Sequence, residues 1–262
     1  MRPWLLTSIS VNMSQFFSLS RFGRLLGKHT AEQLPTYALG AAVLTGGMLV
    51  VLGFLAYIQG GLSHGQQGIL FTLMLLAAGS FFTSLVLAQY GVGSRAALAL
   101  TLPASHVEKY LVAWLVSLPV FLVVFIAAFY LADWVVISLS REPDTVFQLF
   151  ESKDMVGVFT SFLVLHGVAL WGSIYFTRQQ FLKTAFSVAL LFLVMAVANF
   201  QVVKALLGQA VQMSLPFGTV ALRDDAPLTL PAGQEQWLGL LPLALAALLW
   251  LAAYARLTEK QL

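Results

Sequence analysis

Six stretches, each near the roughly twenty apolar residues that a helix needs to cross a bilayer, dominate this chain. They run over Tyr37–Ile58, Gly68–Ala88, Tyr110–Val136, Met155–Tyr175, Ala185–Ala205 and Trp237–Tyr254. None carries a charge near its middle, and the fourth and fifth are the least uniform, interrupted by His166 and Asn199. In hydrocarbon the backbone N–H and C=O groups have no water to bond, so runs of this kind must satisfy themselves as helices. The chain reads as an all-α membrane protein of about six transmembrane helices, with residues 37–262 as one six-helix domain. Composition points the same way. Of 262 residues, 59% are hydrophobic and 10% are charged, whereas a water-facing surface takes roughly 25% charged residues.

The side on which the cations fall sets the expected orientation. With the N-terminus in the cytoplasm, that side holds Arg2, Arg21, Arg24, Lys28, Arg95, Lys109, Arg178, Lys183, Arg256 and Lys260. The other side holds Arg141, Lys153, Lys204 and Arg223, together with Glu142, Asp144, Glu151, Asp154, Asp224, Asp225 and Glu235. Both termini are therefore expected inside. Because the cations are scattered at loop ends rather than clustered, nucleic acid is not an expected partner.

Residues 1–36 form the expected cytoplasmic N-terminus. Met1–Ser20 lacks a sustained apolar core and a small-residue cleavage site, so it does not read as a signal peptide. From Ser14 to His29, Phe16, Phe17, Leu19, Phe22, Leu25 and Leu26 interleave with Arg21, Arg24 and Lys28. This pattern predicts an amphipathic helix in the headgroup layer, or one packed on the protein's own cytoplasmic ends. On the outer side, Phe217–Leu222 and Leu228–Leu230 flank an Asp/Pro turn at 223–227 and read as a small hairpin or an irregular loop.

Enzyme chemistry finds no foothold. Cysteine is absent, so thiolate metal sites and cysteine nucleophiles are excluded. Four isolated histidines (29, 64, 106 and 166) have no ligand spacing. Neither His-Glu-x-x-His nor Gly-x-Ser-x-Gly occurs. The run Gly23-Arg24-Leu25-Leu26-Gly27-Lys28-His29-Thr30 fails as a P-loop, because three rather than four residues separate its glycines and His29 takes the Mg-binding position. No catalytic residue, cofactor or metal is expected in the chain.

Polar groups inside spans are functional candidates. His166, with Ser161 and Ser173 nearby on its own helix, has no acidic partner at its depth and reads as a hydrogen-bonded packing histidine, as does Asn199. Asp133, beside Trp134 at the end of the third span, is expected to be solvated at the outer interface. Gly40, Gly47 and the pair Gly46, Gly53 recur at seven-residue spacing and mark a small-residue stripe for close helix packing, within the chain or between two copies.

The most informative short segment is Leu102-Pro103-Ala104-Ser105-His106-Val107-Glu108-Lys109. Ser105 followed three residues later by Glu108 matches a capping box: the hydroxyl accepts from the Glu108 amide and the carboxylate reaches back to the Ser105 amide. A well-capped membrane helix needs no more than that. Upstream, Gly91–Leu100, with Arg95, is expected as a short helix across the cytoplasmic face.

The run 102–115 (Leu-Pro-Ala-Ser-His-Val-Glu-Lys-Tyr-Leu-Val-Ala-Trp-Leu) resembles a signature of bacterial type-2 permeases of ATP-binding-cassette exporters. The amphipathic stretch 17–26 before the first span and the tail 254–261 after the last fit the same family. The resemblance implies a multi-pass protein of the bacterial inner membrane, working as a homodimer or heterodimer with cytoplasmic ATPase subunits. It further implies that Ser94–Lys109 carries a coupling helix, with Arg95, Leu102, Pro103, Ser105, His106, Glu108 and Lys109 as ATPase-docking candidates. A membrane scaffold or sensor subunit is the alternative. An ion-coupled carrier would show internal repeats and paired intramembrane charges, and neither is seen.

Overall fold

The computed structural model describes residues 17–86, 105–140, 146–149, 155–176, 179–207, 211–214, 220–222 and 232–259. The elements are α1 (Leu19–Gln59), α2 (His64–Val86), α3 (His106–Leu139), α4 (Met155–Tyr175), α5 (Gln180–Leu207), β1 (Val211–Ser214), β2 (Val220–Leu222) and α6 (Ala232–Glu259). Six of these helices are long and apolar enough to span a membrane, so the chain is a multi-pass membrane protein by length and composition. The expected spans all lie within these helices except for the last two residues of Gly68–Ala88, which fall outside the described residues.

One expectation changes at the first helix. The amphipathic stretch is not a separate interfacial helix, because α1 is continuous for 41 residues. At 1.5 Å per residue it is about 62 Å long, twice the roughly 30 Å hydrocarbon thickness. Its first part must therefore stand outside the hydrocarbon, which is where Arg21, Arg24 and Lys28 lie. Pro35 sits inside the helix and removes the bond to the Ala31 carbonyl. Across that gap the His29 ring nitrogen Nε2 and the Tyr37 hydroxyl hydrogen-bond at 2.8 Å. The helix ends where Gly60 adopts φ +81°, a left-handed cap that glycine takes without steric cost.

Packing runs from α1 to α3, from α3 to α2, from α2 to α4, and from α4 to α5 and α6, while α6 also returns to the start of α3. Two apolar cores result. The larger joins α1, α2, α3 and α4 around Phe71, Phe125, Phe129 and Phe162. Phe71 meets Phe129 edge-on at 5.0 Å and Phe125 at 5.4 Å. Such pairs contribute about 0.5–1.5 kcal/mol each beyond area burial. The smaller core, at the Glu108 end, gathers Val86, Tyr110, Ala113, Leu170, Ile174, Ala253 and Leu257.

Close helix approach occurs at glycines other than the expected stripe. A Cβ on Gly167 would meet Leu249 Cβ at 3.0 Å and the Ala246 carbonyl at 3.3 Å, so α4 and α6 touch backbone to backbone there. Gly172 receives the Thr184 side chain of α5, and Gly79 receives the Phe162 ring. Nothing lies within 4 Å of a Cβ at Gly40, Gly46 or Gly47, and Gly53 faces only Val136 at 3.9 Å. The stripe therefore takes no tight contact with the described residues.

The hairpin exists, shifted one strand upstream of its expected place. β1 pairs antiparallel with β2, so the Val220–Leu222 run is a strand as read. Its partner is 211–214, while the expected partner 228–230 lies outside the described residues. Asn199 of α5 donates to the Ser214 hydroxyl at 2.7 Å, tying the hairpin to the helix.

Candidate functional site

The capping box forms as the sequence predicts. Ser105 Oγ accepts from the Glu108 amide at 3.2 Å, and Glu108 Oε2 accepts from the Ser105 amide at 3.0 Å. The other carboxylate oxygen does something a local pattern cannot reveal. Oε1 accepts from the Ser18 amide at 2.7 Å and from Arg21 Nε at 3.3 Å, with Arg21 Nη2 at 3.2 Å. Glu108 is fully buried and meets donors from two chain segments about ninety residues apart. Several N–H donors and a guanidinium are the surroundings in which an ionised carboxylate is stable. This arrangement locks the start of α1 to the start of α3.

The docking candidates separate accordingly. Glu108 is an internal clamp, with no carboxylate surface left to offer a partner. Lys109 is buried as well, at 3% exposure. Ser105 and His106 are half-buried at the cap, and His106 Nδ1 is buried without a partner among the described residues. Arg95, Leu102 and Pro103, and the expected short helix 91–100, lie outside the described residues.

The second polar constellation lies between the two cores. α3 contains a π-helical turn at Val116–Val120 that includes Pro119. In that geometry the residue-119 N–H would bond the Trp114 carbonyl five residues back, but proline has none. The Ser117 hydroxyl donates to that carbonyl instead, at a long 3.4 Å. Ser117 Oγ also lies 2.9 Å from His166 Nε2. On the other edge of the ring, Trp250 Nε1 donates to His166 Nδ1 at 3.0 Å.

Chemistry fixes the direction of this chain. An indole N–H only donates, so Nδ1 holds a lone pair and the neutral ring carries its proton on Nε2. The imidazole then donates to Ser117, which donates to Trp114. His166 is fully buried, and α3, α4 and α6 are pinned through its two nitrogens. It is the hydrogen-bonded packing histidine that the sequence predicts, with its partners on α3 and α6. Ser173 bonds the Leu170 carbonyl of its own helix. The signals that could have located the network were Ser117 two residues before a mid-span proline and Trp250 deep in the last span.

At the far end of the bundle, Asp133 corrects another expectation. It is not solvated. Its side chain is fully buried, and Oδ2 accepts from the Phe147 amide at 2.9 Å. The Leu149 amide donates to the Tyr130 hydroxyl at 3.2 Å. Held by these two bonds, residues 146–149 turn back into the bundle and seat Phe147 against Phe71 at 5.3 Å, Phe129 at 5.7 Å and His64 at 5.5 Å. A polar residue near a span end looked like a surface group; it is a staple for a returning loop.

Among the described residues no three His, Asp or Glu side chains are grouped to hold a metal ion. No family model, curated protein or solved structure matches the chain.

Proposed function

We propose that this chain is the membrane-spanning permease subunit of an ATP-driven exporter, energised by a separate ATP-binding-cassette ATPase. On this reading both termini face the cytoplasm, two permease chains form the pathway, and the cationic start of α1, continuous with its span, projects from the inner headgroup layer. The observation that carries the reading is the Glu108 clamp. The segment that would receive the ATPase, 94–109, runs directly into Ser105 and Glu108, and Glu108 is bonded to Ser18 and Arg21. A push delivered there would reach α1 and α3 together rather than being lost in a loose loop. The start of α3 would then tilt as one piece about the π-helical turn at 116–120, which already interrupts the helix ladder. ATP binding by the partner would stabilise one packing of the spans over another, and the chain itself would make and break no covalent bond.

The test is co-purification. A tagged chain, solubilised gently from its host membrane, is expected to bring down a stoichiometric ATPase, and Arg95→Glu is expected to release it. Arg95 is the better probe, because replacing Glu108 would damage the clamp itself. Recovery with other membrane proteins alone, and no ATPase, would overturn the exporter reading in favour of a scaffold.

A further inference from the structure

The ends of α4 and α6 and the start of α5 meet in a corner that the exporter reading does not use. Its floor is aromatic: Trp171 stacks on Tyr175 at 4.9 Å and 18°, and Tyr175 meets Phe176 edge-on at 5.1 Å. Two cations from different helices lie over this floor. The Arg256 guanidinium of α6 sits 5.7 Å from the Tyr175 ring centre, and Lys183 Nζ of α5 sits 6.0 Å from that of Phe176. Glu259 takes one guanidinium nitrogen, Nη1. Arg256 Nε is buried and has no acceptor among the described residues, and Lys183 makes no ion pair among them. One of the two cations thus has a carboxylate partner among the described residues, and a buried cationic N–H has no oxygen among them. Buried donors of this kind are nearly always satisfied in proteins.

The surface beside this corner adds the second half of a binding site. α5 packs on the bundle only at its start, where Phe181 meets Phe81 at 5.4 Å and Thr184 fills the notch at Gly172. From Ala185 to Met195 every residue but Val188 is exposed, on all sides of the helix. Over that length α5 presents an apolar surface that begins two residues after Lys183. A cationic, aromatic rim beside an apolar helix surface has the chemistry of a phospholipid site.

We propose that the corner of Tyr175, Phe176, Lys183 and Arg256 binds the phosphate of an anionic phospholipid, with the acyl chains lying along the exposed apolar surface of α5. Arg256, whose side chain is 41% exposed, supplies one charge, and Lys183 supplies a second. A zwitterionic headgroup brings its own ammonium toward these cations and is disfavoured. A headgroup that adds only negative charge is not.

Native mass spectrometry of the purified chain with phosphatidylglycerol or phosphatidylcholine tests this. Wild type is expected to retain phosphatidylglycerol in preference to phosphatidylcholine. Arg256→Gln and Lys183→Gln are each expected to weaken that retention about fivefold, the usual contribution of one cation at a membrane surface. The double variant is expected to lose the preference. Unfolding temperatures in phosphatidylcholine nanodiscs establish that each variant is folded; if Arg256→Gln is not, Lys183→Gln decides alone. Lys204→Gln, which removes a cation from the opposite end of α5, is expected to change nothing. Equal retention of the two lipids, an intact preference in the double variant, or an equal loss in Lys204→Gln would overturn the proposal. Excess inorganic phosphate is expected to leave the lipid in place; displacement by phosphate alone would reassign the site to a soluble anion and also overturn it.

Discussion

Replacing Glu108 tests whether α1 and α3 are truly locked together. The carboxylate has two oxygens with separate duties: Oε2 serves the Ser105 amide, and Oε1 serves the Ser18 amide and Arg21. Glu108→Gln keeps the size but leaves one acceptor oxygen. Whichever way the amide turns, its NH2 group faces donors. Losing one charge-assisted bond and opposing donor to donor is expected to cost about 2–3 kcal/mol. Glu108→Ala strands every donor and is expected to cost about 3–5 kcal/mol. The Arg21 side chain is 36% exposed, so water screens its share, and Arg21→Ala alone is expected to cost about 1 kcal/mol. Reversible unfolding in mixed micelles reads each value, and the Glu108→Gln/Arg21→Ala double variant closes the cycle. A coupling near 1 kcal/mol is expected, above the roughly 0.3–0.5 kcal/mol error of additivity. Hydrogen exchange gives an independent reading, because the Ser18 amide should lose protection in Glu108→Ala. Additive single variants, with exchange at Ser18 unchanged, would refute the clamp.

Other sites make equally direct predictions. Gly172→Ala drives a methyl into Thr184 and is expected to destabilise by about 1–3 kcal/mol, with partial rescue by Thr184→Ala in the same thermal-unfolding assay. His166→Leu leaves the Trp250 N–H and Ser117 without their partner, costing about 1–3 kcal/mol; Trp250 fluorescence should shift, and Ser117→Ala should cost less. Asp133→Asn retains an acceptor for the Phe147 amide whereas Asp133→Ala does not, so faster exchange at Phe147 and Leu149 is expected in the alanine variant alone.

What could be read from the sequence was what is local. Apolar run length located every span, and the Ser105–Glu108 spacing placed a cap, because both depend on residues within a few turns of each other. What stayed hidden depends on partners far along the chain. Nothing near Glu108 announces Arg21, 87 residues away. An interhelical bond from His166 could be expected, but nothing in its own span names Ser117 and Trp250, 49 and 84 residues away on α3 and α6. The amphipathic stretch with Arg21, Arg24 and Lys28 read as separate from the span beginning at Tyr37, yet a helix longer than the membrane is thick can carry charges at one end without interruption. Spacing says which residues share a face but not what stands opposite, and the tight approaches fell at Gly79, Gly167 and Gly172.

The polar chain between the two cores has a consequence for how the helices keep their depth. Lipid tails are as apolar as leucine, so a smooth span can slide along its own axis with little change in solvation. Ser117, His166 and Trp250 remove that freedom for α3, α4 and α6. Axial slip by one helical turn is about 5.4 Å, enough to take a 2.9 Å bond between helices well out of range. These three side chains therefore act as a common level mark, so that a bilayer of different thickness would tilt the three helices together before it could shear one past another.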